Sequence, residues 1–191
     1  MAKPKCYFYP NSSKQTQSEV NPYTSLMTEG LENDFRVVNK ERPTGKGFFD
    51  FLRYAIGVDF LFANWIEELP DKKYGFIQSF LFVFIIKIRK LLGFKFVWVM
   101  HNKSTHDRAN ARAKKILYSF IVKNSDLILT HSSEGIKNAI QNYGHNGKNI
   151  VFLHHPVGTR KAYNPDLPKT YDVLIWGKIS AYKGIKEFVS F

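Results

Sequence analysis

Phe94-Lys95-Phe96-Val97-Trp98-Val99-Met100-His101-Asn102 decides the fold, together with the alternating segments downstream of it. A short, nearly continuous apolar run of this kind reads as a strand buried on both faces. Ala109, Ala113, Ile116, Leu117, Phe120 and Ile121 then recur at helical spacing and predict an amphipathic helix over 107–122. Leu127 to Thr130 is again a short strand. Ser132 or Ser133 caps a further helix through Ile136, Ala139, Ile140 and Tyr143, which Gly144 ends, and Ile150 to Leu153 is the next strand. Strands separated by helices must run parallel, because each crossover returns the chain to the same end of the sheet.

The same alternation extends upstream. Cys6 to Tyr9 is a first strand, followed by a polar loop over 10–20. Asn21-Pro22 starts a helix, with Asn as cap and Pro at the first helical position, and Leu26, Met27, Gly30 and Leu31 line one of its sides. Phe35 to Val38 is a strand, Lys46 to Tyr54 a helix, Val58 to Ala63 a buried strand and Phe76 to Leu92 an apolar helix. The expected fold class is α/β, a Rossmann-like parallel sheet with helices on both faces, over 1–155. Pro156, Gly158, Pro165 and Pro168 interrupt 156–169, which reads as a linker. Residues 170–191 supply one strand, a loop and a partial helix, the opening of a second, truncated domain.

The chain has 191 residues, enough for one full core, and its 44% hydrophobic and 23% charged residues exclude a disordered class. A net charge of +12 seeks anions: phosphates, acidic membranes or nucleic acid. Cys6 is the only cysteine, so no intrachain disulfide forms, which suits a reducing compartment. No signal-peptide core follows Met1, and the expected location is cytoplasmic.

In 170–191 the strand Val173-Leu174-Ile175-Trp176 runs into Gly177-Lys178, then Ile179-Ser180-Ala181-Tyr182, then Lys183-Gly184-Ile185. A strand, a glycine loop with lysines and a helix start form an anion site, although an ordinary turn with solvated lysines gives the same pattern. The order W-G-K-x-x-x-Y-K-G-I resembles the opening of the second domain of GT-B glycosyltransferases of the family-4-like group. That resemblance implies that Gly177, Lys178, Lys183 and Gly184 face the diphosphate of a nucleotide sugar. His101-Asn102 with His106-Asp107 resembles the strand-end histidine segment of the same enzymes and implies that His101 and His106 are catalytic. Ser125-Asp126-Leu127-Ile128-Leu129-Thr130-His131-Ser132 resembles a third segment, though a good N-cap explains it too. His131 reads more readily as structural. Asn21, Tyr23, Asn102 and His155 are the expected acceptor or sugar contacts, Asn64-Trp65 after the third strand is similarly placed, and a hinge is the other role for His154-His155. Ligands of open α/β sheets bind beyond the carboxyl ends of the strands, which is where His101 falls. As a plain structural residue, His101 would simply end its strand and His106 would help cap the next helix.

The histidine spacings match no zinc motif, so no metal is expected, and no cofactor beyond the nucleotide-diphosphate sugar as co-substrate. Phe80 to Ile86 is unbroken apolar sequence, far short of the about 20 residues that span a bilayer. Phe80, Phe84, Lys87, Arg89 and Lys90 are the expected contacts with an anionic membrane surface, against the alternative of a core helix. No nucleic-acid module is visible, so no nucleic-acid partner is expected. The resemblance implies sugar transfer from a nucleotide-diphosphate sugar to a saccharide or lipid-linked acceptor, in bacterial-type surface polysaccharide or glycolipid synthesis. The 191-residue chain, short of a full donor domain, is expected to have little activity. The alternative is a non-enzymatic basic α/β module that binds a membrane or a protein partner.

Overall fold

The computed structural model describes residues 2–11, 22–42, 44–101 and 109–156, with Pro168, Ile185 and Phe188 beyond them. Residues 1–158 form one compact unit and 159–191 a second. Of 170–191 only Ile185 and Phe188, both helical, are described, so the expected strand and loop and the rest of the helix lie outside the described residues, as does nearly all of the 156–169 linker.

The first unit is a six-stranded, wholly parallel sheet in the order β2-β1-β3-β4-β5-β6. The strands are β1 Lys5–Tyr9, β2 Arg36–Val37, β3 Phe60–Asn64, β4 Lys95–Met100, β5 Leu127–Thr130 and β6 Ile150–Phe152. The helices are α1 Pro22–Leu31, α2 Gly75–Leu92, α3 Ala111–Asn124 and α4 Ser133–Tyr143. The alternation in the sequence is thus a Rossmann-like α/β sheet.

Side chains alternate between the two faces, as the two-residue period of a strand requires. Cys6, Phe8, Phe62, Val97 and Val99 pack with Tyr23 and Met27 of α1. Tyr7, Leu61, Phe96 and Trp98 pack on the other face with Phe82 and Ile86 of α2 and Leu117 and Ile121 of α3. The chain moves outward from β1 to β2, then in the opposite direction from β3 to β6. A constant crossover hand therefore puts α1 on one face and the later helices on the other. The reversal lies between β1 and β3, which makes that pair the topological switch point.

Several elements differ from their expected form. The segment read as a helix over 46–54 is a 3₁₀ helix, Gly47–Arg53, and a second one, Ile66–Asp71, has no signal in the apolar period. In α1 the buried residues are Tyr23, Thr24, Met27 and Thr28, while Gly30 is exposed. In α3 Ile116 faces outward and Lys114 is buried, because Lys114 pairs with Asp71 at the end of the second 3₁₀ helix. Two boundaries match their residue chemistry. Ser132 accepts the Glu134 amide at 3.2 Å, and Gly144 takes the left-handed conformation (φ 65°) that stops α4. Gly75 has no substitute: a Cβ there would collide with the carbonyl oxygens of Leu69 and Pro70, where α2 meets the preceding 3₁₀ helix.

Candidate functional site at the switch point

Beyond the carboxyl ends of β1, β3, β4 and β5 a set of polar and aromatic side chains converges. Asn64 ends β3 and is fully buried. Its Nδ2 donates to the Tyr9 carbonyl at the end of β1, 3.1 Å away, which fixes the amide. Oδ1 therefore faces the Tyr23 hydroxyl at 3.2 Å and His101 Nε2 at 3.0 Å. An amide oxygen only accepts, so His101 Nε2 carries the proton and Nδ1 keeps its lone pair. Among the described residues that Nδ1 has no hydrogen-bond partner.

His131, at the end of β5, is set the other way. Its Nδ1 lies 2.7 Å from the Leu153 carbonyl and donates to it, leaving Nε2, 3.0 Å from the Tyr23 hydroxyl, to share that hydroxyl's one proton with Asn64 Oδ1. Tyr23 thus links the two imidazoles from α1. The rings also pack. His101 stacks on Trp65, with centroids 4.3 Å apart and planes 12° from parallel. Tyr23 meets His101 edge-on at 4.7 Å and lies 4.9 Å from His155. Trp65 holds this position with a left-handed backbone (φ 48°), uncommon for a bulky residue and a mark of local strain at a site.

Burial favours the neutral form of both His101 and His131. Burial, with the neighbouring His131 and His155, depresses the His101 pKa from 6.5 to about 3. His131 is lowered as well, chiefly by burial. The unfolded chain takes up the His101 proton first, so this group subtracts stability as pH falls from 6.5 toward 3. An imidazole this reluctant to charge keeps its lone pair available near neutral pH to accept a hydrogen bond. Among the described residues no group of three or more His, Cys, Asp or Glu side chains is arranged to hold a metal ion.

A cleft of about 730 Å³ opens beside this network, and the two share Asn64 and Trp65. Tyr9 brings the end of β1 to its lining, and Tyr74 and Gln78 bring the start of α2. It lies at the β1/β3 switch point, where open α/β sheets take their ligands. Asp50 shapes one rim, its Oδ2 accepting the amides of Gly45 and Lys46 at 2.8 Å each. Gln78 braces the same loop by accepting the Phe48 amide at 2.6 Å.

The structure therefore brings together Tyr23, His101 and His155 of the expected site residues. Asn21, Asn102, His106, Gly177, Lys178, Lys183 and Gly184 lie outside the described residues. It makes Asn64 and Trp65, which the sequence places at the end of the third strand, central members and gives His131, read as structural, a direct bond to Tyr23. The only sequence signal for Asn64-Trp65 is a polar residue and a tryptophan closing an apolar strand.

Of the expected membrane contacts, Phe80 and Phe84 are exposed on α2, as are Lys87 and Lys90. Arg89 is corrected: its guanidinium pairs with Asp126 at 3.0 and 3.2 Å and is mostly buried, so it is part of the packing. No helix among the described residues is long and apolar enough to cross a membrane.

No protein-family model matches the sequence, and no curated protein matches it. Among solved structures, the crystal structure of HepE from Anabaena in complex with UDP aligns with 79% of this chain at 16% identity and a TM-score of 0.40. The aligned region is 44% of that protein, so the chain spans less than half its length.

Proposed function

We propose that the first unit is the acceptor-side lobe of a GT-B glycosyltransferase that uses a nucleotide-diphosphate sugar. The observation that carries this reading is the His101 Nδ1 lone pair, held without a partner among the described residues beside an aromatic-lined cleft at the switch point. An acceptor hydroxyl donates its hydrogen bond to that nitrogen and is aimed at the anomeric carbon. Its oxygen forms the new C–O bond, and the old bond to the diphosphate breaks with its electron pair. The hydroxyl proton moves toward Nδ1 as the bond forms. The negative charge of a bound diphosphate raises the basicity of this nitrogen at that moment. Lys178 and Lys183 meet the charge on the leaving diphosphate, an electrostatic role for which a site is best built in advance. The acceptor is a saccharide or lipid-linked saccharide of surface polysaccharide or glycolipid synthesis, and the protein works on the cytoplasmic side.

The test is UDP and UDP-sugar affinity, by calorimetry, of the chain and of Lys178→Ala and Lys183→Ala. Each loss of a charge-assisted phosphate contact should weaken binding by about tenfold. Unchanged affinity in both variants contradicts the donor role.

A second reading concerns where the protein sits, and α2 favours it. Phe76, Ile77, Phe80, Phe84 and Leu91 form an exposed stripe, with Phe80 74% and Leu91 87% accessible. Neither α2 nor α3 contains an acidic residue, while Lys87, Lys90, Arg112, Lys115 and Lys123 are exposed. An apolar stripe beside uncompensated cations fits an anionic bilayer, with rings at the acyl boundary and ammonium groups at the phosphates. Sedimentation with phosphatidylglycerol vesicles should carry the chain down, and Phe80→Ser with Phe84→Ser should abolish this. Equal binding to neutral phosphatidylcholine contradicts the charge argument.

A further inference from the structure

The cleft has a charge pattern that sugar recognition by itself does not require. Lys46, Lys72 and Lys73 line it against a single carboxylate, Glu68. That carboxylate is 3.9 Å from Lys72 and offsets it only loosely. Lys46 and Lys73 have no carboxylate partner among the described residues, and Lys73 Nζ instead sits 5.3 Å from the centre of the Tyr74 ring. Asp50, in the 3₁₀ helix that follows Lys46, has one oxygen committed to two backbone amides.

The walls are aromatic. Phe49, Trp65 and Tyr74 line the cleft. Trp65 and Tyr74 flank the 3₁₀ helix Ile66–Asp71, and both have left-handed backbones, with φ of 48° and 59°. Such residues persist only where the surrounding packing over-determines them. Here that packing is Gly75 closed against Leu69 and Pro70, and Asn64 tied to Tyr9. The strain fixes two flat aromatic residues and the Lys72-Lys73 pair around one cavity. Aromatic faces suit sugar rings, and ammonium groups in a concave, partly apolar site attract anions more strongly than they do on an open surface.

We propose that this cleft takes a saccharide bearing an anionic group, a phosphate or a carboxylate. The sugar ring lies against Trp65 and Tyr74, and the anion lies between Lys46 and Lys73. The inference rests on the reading of the crevice as the acceptor side, and it narrows the acceptor to a charged glycan. The His101 network, joined to the cleft through Asn64 and Trp65, then handles the hydroxyl, and the lysines handle the charge.

The test is an amide NMR titration of the 191-residue chain with glucose 1-phosphate, glucuronate and methyl glucoside. At least one anionic probe should bind about tenfold more tightly than methyl glucoside, since a charge-assisted contact contributes roughly 1.5–3 kcal/mol. Shifts should centre on Lys46, Trp65 and Tyr74. Lys46→Gln with Lys73→Gln should remove the advantage and leave methyl glucoside binding unchanged; both side chains are exposed, so the fold is retained. Preference for glucose 1-phosphate identifies phosphate as the anion, and preference for glucuronate identifies carboxylate. Equal binding of charged and neutral sugars in the cleft, or an anion preference that survives the double variant, overturns the proposal but spares the acceptor reading. No shift in the cleft with any of the three sugars overturns both.

Discussion

Two polar networks lie against the same sheet, one closed and one open. Beneath α2 and α3, Glu67 accepts from Trp98 Nε1 at 3.1 Å and Lys114 pairs with Asp71, which also accepts from Asn110 at 3.1 Å. At the strand ends, Tyr23, Asn64, His101 and His131 form an equally specific set, but His101 Nδ1 has no hydrogen-bond partner among the described residues, and Asn64 of the set also lines a cleft. The first network uses its polarity inside the fold and serves packing. The second holds hydrogen-bonding capacity in reserve, which is what a ligand site needs and a core does not.

The largest test of this contrast is Asp71→Ala. It takes the carboxylate away from Lys114, which is buried, and should cost about 4 kcal/mol in urea unfolding, because a buried charge that loses its counter-charge is worse than no pair. Saccharide binding at the crevice should be unaltered at temperatures where the variant is folded. A loss below about 0.5 kcal/mol would place Lys114 outside the structural network.

Glu67→Gln comes next and has the opposite sign. Burial raises the Glu67 pKa from 4.5 to about 7, beyond what the lowering hydrogen bonds restore. Between those values the folded chain holds a proton that the unfolded chain has released, so stability falls as pH rises from 4.5 to 7. The glutamine variant should be more stable by on the order of 3 kcal/mol at pH 8 and nearly equal at pH 4. Unfolding curves at the two pH values check this, and a gain independent of pH would contradict it.

The sheet was legible because its signals are local and periodic. The run ending at Met100, Pro22 at a helix start and Gly144 at a helix end each act within a few residues. The site was half legible. His101 and Tyr23 stand where a strand ends and a helix begins, but nothing periodic says that Tyr23 bonds His131, 108 positions away. The same limit explains Lys114, whose burial depends on Asp71, and Arg89, whose basic character suggested a lipid contact until Asp126 met it. The left-handed Trp65 and Tyr74 were illegible for a different reason: both violate local preference, and only the packing between β3 and α2 makes them tenable.

The most direct measurement is imidazole nitrogen NMR of His101, with and without a saccharide that binds the chain. An open network predicts a neutral ring, protonated at Nε2 and unprotonated at Nδ1, with no titration between pH 5 and pH 8 given a pKa depressed to about 3. Saccharide should then shift the Nδ1 resonance as it accepts a hydroxyl hydrogen bond, while His131 keeps its proton on Nδ1. A His101 that titrates near 6.5, or an Nδ1 resonance unmoved by a sugar bound to the chain, would contradict the assignment of the crevice as the working site.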